Sequence, residues 1–398
     1  MSPAVKPELL QAAYQLIQNG EASSRADIKN ILDISASTAS NLTRILLEQK
    51  LITVVGTSAS TGGRRAAQFK VVEPRAVIAI GELGSKHALL AITDWAGHLV
   101  KTKEISLEIS DGPEIILDQI AATWLEMLAE YDGRLKGFTA CALALPGPVN
   151  PETQMVIAPA RMPNWSNVPV TSLLSERLNC PAYIDNDARA AALGEVGATA
   201  QNYQNFIYVK TGSGIGASYV IDGKPYTGGN GLGGDITHTF SFPSTEITCA
   251  CGRVGCLETI ASGYSIRKIL AEQGLNLPNM QELIKTAEHA DPQVTSAIRN
   301  AGTRLGEALA PLVNFLNPQA VILGGSLSEV GLFKAAVRAA LYNACLSMVS
   351  EELEVELSTH RRHSALIGLD KAARSRLLPT PGAPLWNKPV ANAETAAL

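Results

Sequence analysis

The sequence lacks a long apolar run, since no part of its 398 residues approaches the roughly 18 uninterrupted apolar residues of a membrane-spanning helix. Its first ten residues, MSPAVKPELL, lack a basic segment followed by an apolar core, so we expect no secretion signal. Cysteine is scarce: six residues do not make a disulfide scaffold in a chain of this length. These absences predict a cytoplasmic protein that does not contact a membrane.

Charge is also limited and unevenly distributed. Charged residues make up 18% of the chain and apolar residues 46%, which excludes a disordered chain and a coiled coil. The net charge of −4 excludes a uniformly basic nucleic-acid-binding protein. Residues 1–75, however, hold nine Lys and Arg against six Asp and Glu, and the remainder is acidic. A basic end on an acidic body indicates that this end contacts a polyanion.

The basic end has the pattern of a helix-turn-helix. Residues 7–19 predict a first helix that ends at Gly20, and Ser24 and Asp27 have the spacing of a capping box at the start of a second. A four-residue turn, ISAS, leads into a third helix that begins at Thr38. In the second and third helices we expect these apolar residues to face inward: Ile28, Ile31, Leu32, Ala39, Leu42 and Leu46.

The opposite face of the third predicted helix is polar and carries Ser37, Thr38, Asn41 and Arg44. Short polar residues early in the second helix of a helix-turn-helix are typical of a recognition helix that contacts base edges. An ordinary three-helix bundle with a solvated polar face has the same pattern. The helices alone therefore leave both interpretations open.

A predicted hairpin after these helices favours DNA binding. Residues 52–56 and 66–72 predict two strands, and the segment between them, TSASTGGRR, ends with Arg64 and Arg65. Paired arginines in such a wing can enter a narrow minor groove, although charged hairpin tips are common on any surface. Because the excess of positive charge is small, we expect a homodimer or homotetramer to bind operator DNA through two heads.

From residue 76 the pattern is that of an α/β protein. Strand and helix signals alternate to about residue 370, with a clear helix at residues 113–131. In the middle of this region, the segment AYIDNDARAAALGE places Asp185, Asn186 and Asp187 at the junction of a strand and a helix. Carboxylates there can accept hydrogen bonds from ligand hydroxyls, and plain N-capping of the helix explains the same residues.

A cysteine cluster predicts a structural zinc site. Cys249, Cys251 and Cys256 lie within eight residues, and His238 lies eleven residues before the first of them. Three thiolates and one imidazole fill a tetrahedral Zn²⁺ site and leave no open position for catalysis. The alternative is three buried free cysteines. A glycine-rich segment, KTGSGIGASYVIDGKPYTGGNGLGGD, allows close backbone approach to a phosphate or sugar, but glycine runs also form hairpins.

Together these segments resemble the ROK family of sugar-responsive repressors and sugar kinases. The most specific segments are IDNDARAAALGE, TGSGIGA, GGNGLGGDITH, CACGRVGCLE and NPQAVILGGSLS, in the order found in the family. The TGGRR wing resembles the repressor branch, which includes the xylose and N-acetylglucosamine repressors. The resemblance implies an α/β fold in which an N-terminal winged helix-turn-helix is followed by a two-lobed, actin-like sugar-kinase domain, with sugar bound between the lobes.

The resemblance also implies domain limits and site residues. A winged helix-turn-helix would occupy residues 1–72. The first lobe would span 73–187, completed by about 362–378, and the second lobe 188–361 would carry the zinc site before a loose tail at 379–398. The sugar-binding residues would be Asn186, Asp187, Asp235, His238 and Glu258, with Asp187 the catalytic base in a kinase. Zinc would hold His238 and Glu258 in position.

Departures from the family pattern predict that ATP and Mg²⁺ are not cofactors. Arg161 stands where an Asn is usual, and Asp235 where Glu is usual. The first phosphate loop of the kinases, Asp-x-Gly-Gly-Thr, is replaced by GELGSKH, in which Glu82, Ser85 and Lys86 differ. A Cβ at Ser85 would crowd the path of the phosphate, although Lys86 could still attract it.

We therefore expect a sugar-responsive, DNA-binding transcriptional regulator of carbohydrate metabolism that acts as a repressor rather than an enzyme. The alternative is an active ATP-dependent sugar kinase with a DNA-binding head. In a third interpretation the body mainly binds another protein. The sequence does not identify the sugar or the operator.

Overall fold

The chain, whose structure is a computed structural model, forms a small N-terminal head and a larger body. The structure describes residues 7–18, 20–48, 51–57, 67–71, 77–94, 97–132, 135, 137–157, 162–238 and 247–377. The elements described in the head are α1 (Pro7–Gln18), α2 (Arg25–Ile31), α3 (Ala36–Glu48), β1 (Ile52–Thr57) and β2 (Ala67–Val71). This order confirms the expected succession of helices and hairpin strands.

Helix α2 begins with the predicted capping box. The Ser24 hydroxyl accepts a hydrogen bond from the backbone N–H of Asp27 at 3.2 Å, and the Asp27 carboxylate accepts one from the Ser24 N–H at 2.8 Å. The backbone N–H of Ser23 also donates to this carboxylate and is the main reason why the pKa of Asp27 lies below its ordinary value. Local sequence therefore determines where this helix starts.

Helix α3 begins at Ala36, two residues before the predicted start. The hydroxyl of Ser35 accepts a hydrogen bond from the N–H of Thr38 at 3.1 Å, so Ser35 rather than a later residue caps the helix. Several short polar residues in succession offer more than one possible cap, which is why the sequence misplaced the start. The predicted inward stripe of this helix is confirmed, since all three of its residues are fully buried: Ala39, Leu42 and Leu46.

Helix α2 contributes less to the head core than predicted. Ile28 is buried and Leu32 packs against the core, but Ile31 is 49% exposed, so the prediction for Ile31 was wrong. Ile31 is the last residue of this short helix, and Ile34 from the following turn packs against the same core. The turn thus supplies the apolar side chain that the helix end does not.

The hairpin of the head pairs β1 with β2 in antiparallel register, with Ile52 opposite Val71. Phe69 is buried and its neighbour Lys70 is exposed, as alternation predicts for a strand with one face on the core. The tip of the predicted wing, which contains Arg64 and Arg65, lies outside the described residues.

The first part of the body is a mixed five-stranded sheet with the order β5-β4-β3-β6-β7. Strand β3 pairs antiparallel with β4 and parallel with β6. The elements are β3 (Val77–Leu83), β4 (His87–Asp94), β5 (Leu99–Ser106), α4 (Pro113–Tyr131), β6 (Ala140–Leu145), α5 (Val170–Leu178) and β7 (Ala182–Asn186). Helix α4 has the bounds that the sequence predicted.

The second part repeats this arrangement with the order β10-β9-β8-β11-β12. Here β8 pairs antiparallel with β9 and parallel with β11, so the two sheets share one topology. This repetition confirms the two-lobed α/β fold. The elements are α6 (Asp187–Glu195), β8 (Phe206–Thr211), β9 (Ile215–Ile221), β10 (Lys224–Pro225), α7 (Glu258–Ala261), α8 (Gly263–Glu272), α9 (Met280–Glu288), α10 (Pro292–Leu316), β11 (Ala320–Gly324), α11 (Gly331–Ala344), α12 (Ser347–Ser350), β12 (Glu354–Leu357) and α13 (Ser364–Leu377).

Helices α6 and α13 lie in a buried core that both sheets share. The two helices cross at glycines: a Cβ added to Gly368 would lie 1.7 Å from the carbonyl oxygen of Ala190, and one on Gly194 would lie 2.0 Å from that of Ser364. The backbones are therefore in direct contact. The lobes are joined at a crossing that has no room for a side chain.

A buried carboxylate holds the chain segment that leads into α13. The Glu195 carboxylate accepts hydrogen bonds from the hydroxyls of Ser358 (2.7 Å) and Ser364 (2.8 Å) and from the N–H groups of Thr359 (2.8 Å) and His360 (3.1 Å). Four donors compensate for the burial of one negative charge. The connection from β12 back to the first lobe is thus fixed by a residue at the end of α6.

Among the described residues, no helix combines the length and the apolar character that crossing a bilayer requires. The predicted tail at residues 379–398 lies outside the described residues.

Candidate functional site between the lobes and on the head

Asn186 and Asp187 lie where β7 meets α6, as predicted. The side-chain oxygen of Asn186 accepts a hydrogen bond from the N–H of Arg189 at 3.0 Å, and its amide donates to the carbonyl of Gly147 at 3.1 Å. Asp187 Oδ1 accepts a hydrogen bond from the N–H of Ala188 at 2.8 Å. Plain N-capping therefore accounts for Asn186. Asp187 keeps its second carboxylate oxygen, Oδ2, for a partner outside the helix.

That partner is Lys210, which sequence reasoning did not identify as a site residue. Its Nζ lies 2.5 Å from Asp187 Oδ2 and also contacts Oε1 of Glu82. Burial lowers the pKa of Lys210, but the two carboxylates more than offset this effect and hold the pKa well above its ordinary value. The ammonium thus stays charged and connects β8 of the second sheet with β3 of the first. A charged residue next to the end of a buried strand, FIYVKT, was the available signal.

Glu258 and His238 lie close to the start of β9. The carboxylate of Glu258, which is buried, accepts a hydrogen bond from the N–H of Ile215 at 3.1 Å. The carbonyl of Ile215 accepts a hydrogen bond from the hydroxyl of Thr237, the residue before His238, at 3.0 Å. The structure therefore brings Glu258 and the Thr237–His238 segment to one strand end.

Gly216 connects this strand end with Asp187. A Cβ on Gly216 would lie 3.0 Å from the Cβ of Ala188 and 3.9 Å from Oδ1 of Asp187. Glycine at this position lets α6 pack closely on β9. Asp187 and Glu258 thus lie next to two consecutive residues of β9, although 71 positions separate them in the chain.

Asp235 is exposed and stabilises the turn before His238. Its Oδ1 accepts hydrogen bonds from the N–H groups of Thr237 at 2.9 Å and of His238 at 3.4 Å. One carboxylate oxygen is therefore engaged with the backbone. The predicted contact of Asp235 with a sugar stays a prediction.

The four predicted metal ligands lie together. The ligand atoms of His238, Cys249, Cys251 and Cys256 are all within 4.8 Å of one another. Nδ1 of His238 lies 3.6 Å from Sγ of Cys249, and the other two sulfurs are 3.6 Å apart. These separations fit ligands around one ion at metal–ligand distances of about 2.0–2.3 Å. The cluster can hold a metal ion, and its donor set of three sulfurs and one nitrogen is complete for tetrahedral coordination.

The turn between β3 and β4 contains two of the departures from the kinase pattern, Ser85 and Lys86, and the third, Glu82, lies in β3. The N–H of Gly84 donates to the carbonyl of His87 at 2.7 Å, and a Cβ on this glycine would lie 2.7 Å from the His87 ring. Lys86 pairs with Glu108 at 3.3 Å. The ring of His87 therefore lies directly against Gly84 in this turn. The ammonium of Lys86 is already paired with the carboxylate of Glu108. Arg161 lies outside the described residues.

The polar face of α3 is accessible. Ser37 and Arg44 are exposed, and Thr38 and Asn41 are half-buried. The guanidinium of Arg44 donates to both carboxylate oxygens of Glu48, at 2.7 and 2.8 Å, and to the side-chain oxygen of Asn41 at 2.7 Å. Arg44 is thus held along the helix by residues one turn before and after it. Contact of these four residues with bases stays a prediction.

Arg25 is a second candidate DNA-contacting residue that sequence reasoning missed. It is exposed at the first position of α2, and its Nε donates to the Thr43 hydroxyl of α3 at 2.9 Å. Its guanidinium also lies over the ring of Phe69 in β2, 5.4 Å from the centroid. One exposed cation is thereby held by both helices of the motif and the hairpin. An arginine at the start of α2 was the signal.

These features define a class: a two-lobed, actin-like α/β protein that carries a helix-turn-helix head. The ROK family model matches residues 77–375, which is most of the chain. The chain therefore belongs to the ROK family.

Two relatives align with most of the chain. The xylose repressor of Bacillus subtilis (strain 168) is 31% identical over 309 residues, which cover 77% of this chain and 79% of the repressor. The regulator NagC of Escherichia coli (strain K12), described as a DNA-binding transcriptional dual regulator, is 29% identical over 374 residues, or 89% of each protein.

Two solved structures share the fold. A ROK family transcriptional regulator, a homologue of the E. coli MLC protein, superposes with a TM-score of 0.77 at 23% identity and covers 94% of this chain and 98% of its own. A ROK family glucokinase from Streptomyces griseus, in complex with glucose and AMPPNP, has a TM-score of 0.66 at 21% identity and covers 75% of this chain and 99% of its own. Regulators and kinases are thus both neighbours in fold.

Proposed function

We propose that this chain is a sugar-responsive transcriptional repressor. Its head binds operator DNA, and its body binds a sugar between the lobes. The observation that carries the proposal is the ion pair between Asp187 and Lys210 at 2.5 Å. Both oxygens of Asp187 already accept hydrogen bonds, Oδ1 from the N–H of Ala188 and Oδ2 from Lys210, an arrangement that suits a residue binding ligand hydroxyls better than one that must take up their protons. The names of the relatives, a xylose repressor and NagC, support the same conclusion.

In this proposal Asn186, Asp187, Asp235, His238 and Glu258 contact the sugar. His238 binds a structural Zn²⁺ with Cys249, Cys251 and Cys256, and the other ring nitrogen of His238 serves the sugar. The ion supplies no chemistry of its own when bound: it fixes the imidazole and the turn that leads to Glu258. Residues 1–72 form the DNA-binding domain, residues 73–187 and 188–361 the two lobes, and the segment after 361 returns to the first lobe.

Ser37, Thr38, Asn41 and Arg44 contact bases, and Arg64 and Arg65 enter the minor groove. Two heads of a homodimer or homotetramer in the cytoplasm bind two half-sites, because one weakly basic head provides little affinity. Sugar binds one arrangement of the lobes more tightly and shifts the protein towards it, with a coupling of about 1–3 kcal/mol.

The test uses the full chain and DNA fragments that it selects from the genome of the organism that encodes it. A panel of pentoses, hexoses and amino sugars is screened by melting temperature, and each stabilising sugar is added to the protein–DNA complex. We expect at least one sugar to raise the melting temperature and release the DNA. Failure to select any DNA at low salt would contradict the proposal, as would release by no sugar.

The alternative function, an ATP-dependent sugar kinase, is favoured by the segment TGSGIGA (residues 211–217), which the chain keeps although its first phosphate loop departs from the kinase pattern. In this segment the N–H of Gly212 donates to the carbonyl of Gly214 at 2.9 Å, and the N–H of Gly263 at the start of α8 donates to the carbonyl of Gly212 at 2.9 Å. However, these hydrogen bonds and the close packing at Gly216 explain why glycines are needed in this segment even if it binds no nucleotide. We expect no sugar phosphate from ATP, Mg²⁺ and any stabilising sugar; its formation would favour the kinase.

Replacing Arg25 with alanine is expected to weaken binding to all selected DNA fragments by a similar factor. If this arginine contacts a phosphate, a plot of the logarithm of the DNA-binding constant against the logarithm of the salt concentration should be shallower for the variant, by about 1 in slope. Fluorescence anisotropy at several salt concentrations measures both effects. The matched control is Arg338→Ala in α11, which is exposed and lies over the Tyr342 ring at 5.0 Å, far from the head in sequence. An unchanged salt slope for Arg25→Ala would remove Arg25 from the DNA interface.

A further inference from the structure

We infer that Lys210 is a built-in cation of the site between the lobes. Its ammonium occupies the position between Glu82 and Asp187 that a divalent metal ion would otherwise take, and it holds Asp187 in place as a hydrogen-bond acceptor for ligand. The first half of this inference is independent of any ligand. The second half rests on the proposed sugar site.

The three charged groups come from separate elements and converge on one point. Glu82 is in β3 of the first sheet, Asp187 is the first residue of α6, and Lys210 is in β8 of the second sheet. The side chains are 16%, 11% and 23% exposed, respectively. Two largely buried carboxylates that face each other cannot both stay ionised at little cost without a cation between them. The ammonium supplies that charge.

The other titratable groups near Glu82 do not replace this cation. His363 lies close enough to Glu82 to interact with it, but burial, followed by the charges of Arg362 and His360, lowers the pKa of His363 below its ordinary value. Its imidazole is therefore neutral at pH 7. Tyr208, whose pKa burial raises further above neutrality, stays uncharged beside Glu82 and Lys210. Among the residues that the structure describes, Lys210 is thus the cation that contacts both Glu82 and Asp187.

A vacated ammonium position would suit a metal ion. Mg²⁺ and Mn²⁺ bind carboxylate oxygens, and Mg²⁺ is held in many sites by only one or two carboxylates together with waters. Oδ2 of Asp187 and Oε1 of Glu82 both contact the single Nζ atom, so both could contact one small cation in its place. Removing the ammonium while keeping the carboxylates should therefore convert a site that excludes divalent ions into one that binds them.

The experiment titrates MnCl₂ into the full-length protein and measures free Mn²⁺ by electron paramagnetic resonance. We expect no tight Mn²⁺ binding by the wild-type chain and one bound Mn²⁺ per chain in Lys210→Ser. The double variant Lys210→Ser/Glu82→Gln should lose this ion again, and Lys210→Arg, which restores a cation, should bind none. The matched control is Lys103→Ser, because Lys103 also pairs with a carboxylate, Glu126 at 3.1 Å, but on the surface.

Equal Mn²⁺ binding by the wild type and Lys210→Ser would overturn the inference. If Lys210→Ser does not fold, Lys210→Met retains most of the apolar side chain and is tested in its place; a folded variant that binds no Mn²⁺ overturns the inference. Failure of both variants to fold would show that the ammonium is needed for folding, which also overturns it.

The role towards Asp187 has a separate readout. For a sugar that stabilises the wild type, we expect Lys210→Ser to lower the affinity at least about tenfold, which corresponds to about 1.4 kcal/mol. Lys103→Ser should leave the affinity unchanged. If no sugar stabilises the wild type, the proposed function fails while the Mn²⁺ result still stands. If Lys210→Ser gains Mn²⁺ but binds sugar normally, the role towards Asp187 is wrong.

Discussion

Replacing Gly368 with alanine is expected to lower the free energy of unfolding of the body by about 3 kcal/mol, since added methyl groups in a closely packed interior typically cost about 1–3 kcal/mol or more. The new Cβ would lie 1.7 Å from the Ala190 carbonyl oxygen, which belongs to helix backbone and cannot rotate away. Helices α6 and α13 would have to separate. Urea denaturation followed by tryptophan fluorescence measures the change, because Trp124 and Trp165 are buried in the first lobe.

The control for this prediction is Gly331→Ala. Gly331 is the first residue of α11, and a Cβ there would meet nothing within 4 Å. We expect a change of less than about 0.5 kcal/mol, as for an ordinary surface substitution. Equal stability of the two variants would mean that α6 and α13 can move apart freely, contrary to the close crossing that joins the lobes.

Replacing Cys251 with serine is expected to lower the affinity for Zn²⁺ by about 100-fold or more. Four ligands together provide about 10–16 kcal/mol of apparent binding free energy in structural zinc sites, so one thiolate accounts for about 3 kcal/mol. Metal analysis after dialysis against a chelator should find one Zn²⁺ per wild-type chain and none in the variant. The variant should also melt at a lower temperature, because metal binding stabilises the folded chain.

The metal-free variant should also lose sugar affinity. The N–H of Thr259 donates to the carbonyl of Cys256 at 2.9 Å, so the turn that carries Glu258 is directly connected to a metal ligand. Cys345→Ser is the matched control, since Cys345 is a half-buried free cysteine outside the cluster. Retained sugar affinity in a metal-free Cys251→Ser protein would show that the metal does not position the sugar site.

The elements of the head followed from sequence because their signals are local. The capping box of Ser24 and Asp27 and the apolar spacing of α3 depend on residues three or four positions apart, and both were confirmed. The start of α3 and the burial of Ile31 were misjudged. In both cases the deciding group, the Ser35 hydroxyl or the Ile34 side chain, lies in the turn between the helices. A turn offers several equivalent candidates that sequence alone does not rank.

The candidate site was predictable in its parts but not in its connections. The cysteine spacing predicted a cluster that the structure brings together, and the strand–helix junction at Asn186 and Asp187 is where it was expected. Lys210 was missed because its partners are 23 and 128 positions away in the chain. Arg25 was missed for the same reason, since its partner Thr43 is 18 positions away.

By itself, the sequence determined the kinds of element, the residues able to bind a metal, and the family to which the body belongs, because these depend on residue type and short spacing. The tertiary structure decided which charges meet. Folding two sheets of the same topology onto α6 and α13 places Glu82, Asp187 and Lys210 at one point. Electrostatic interactions fall off with distance through space rather than along the chain, so only the folded arrangement shows that the carboxylate of Asp187 is already held by a cation.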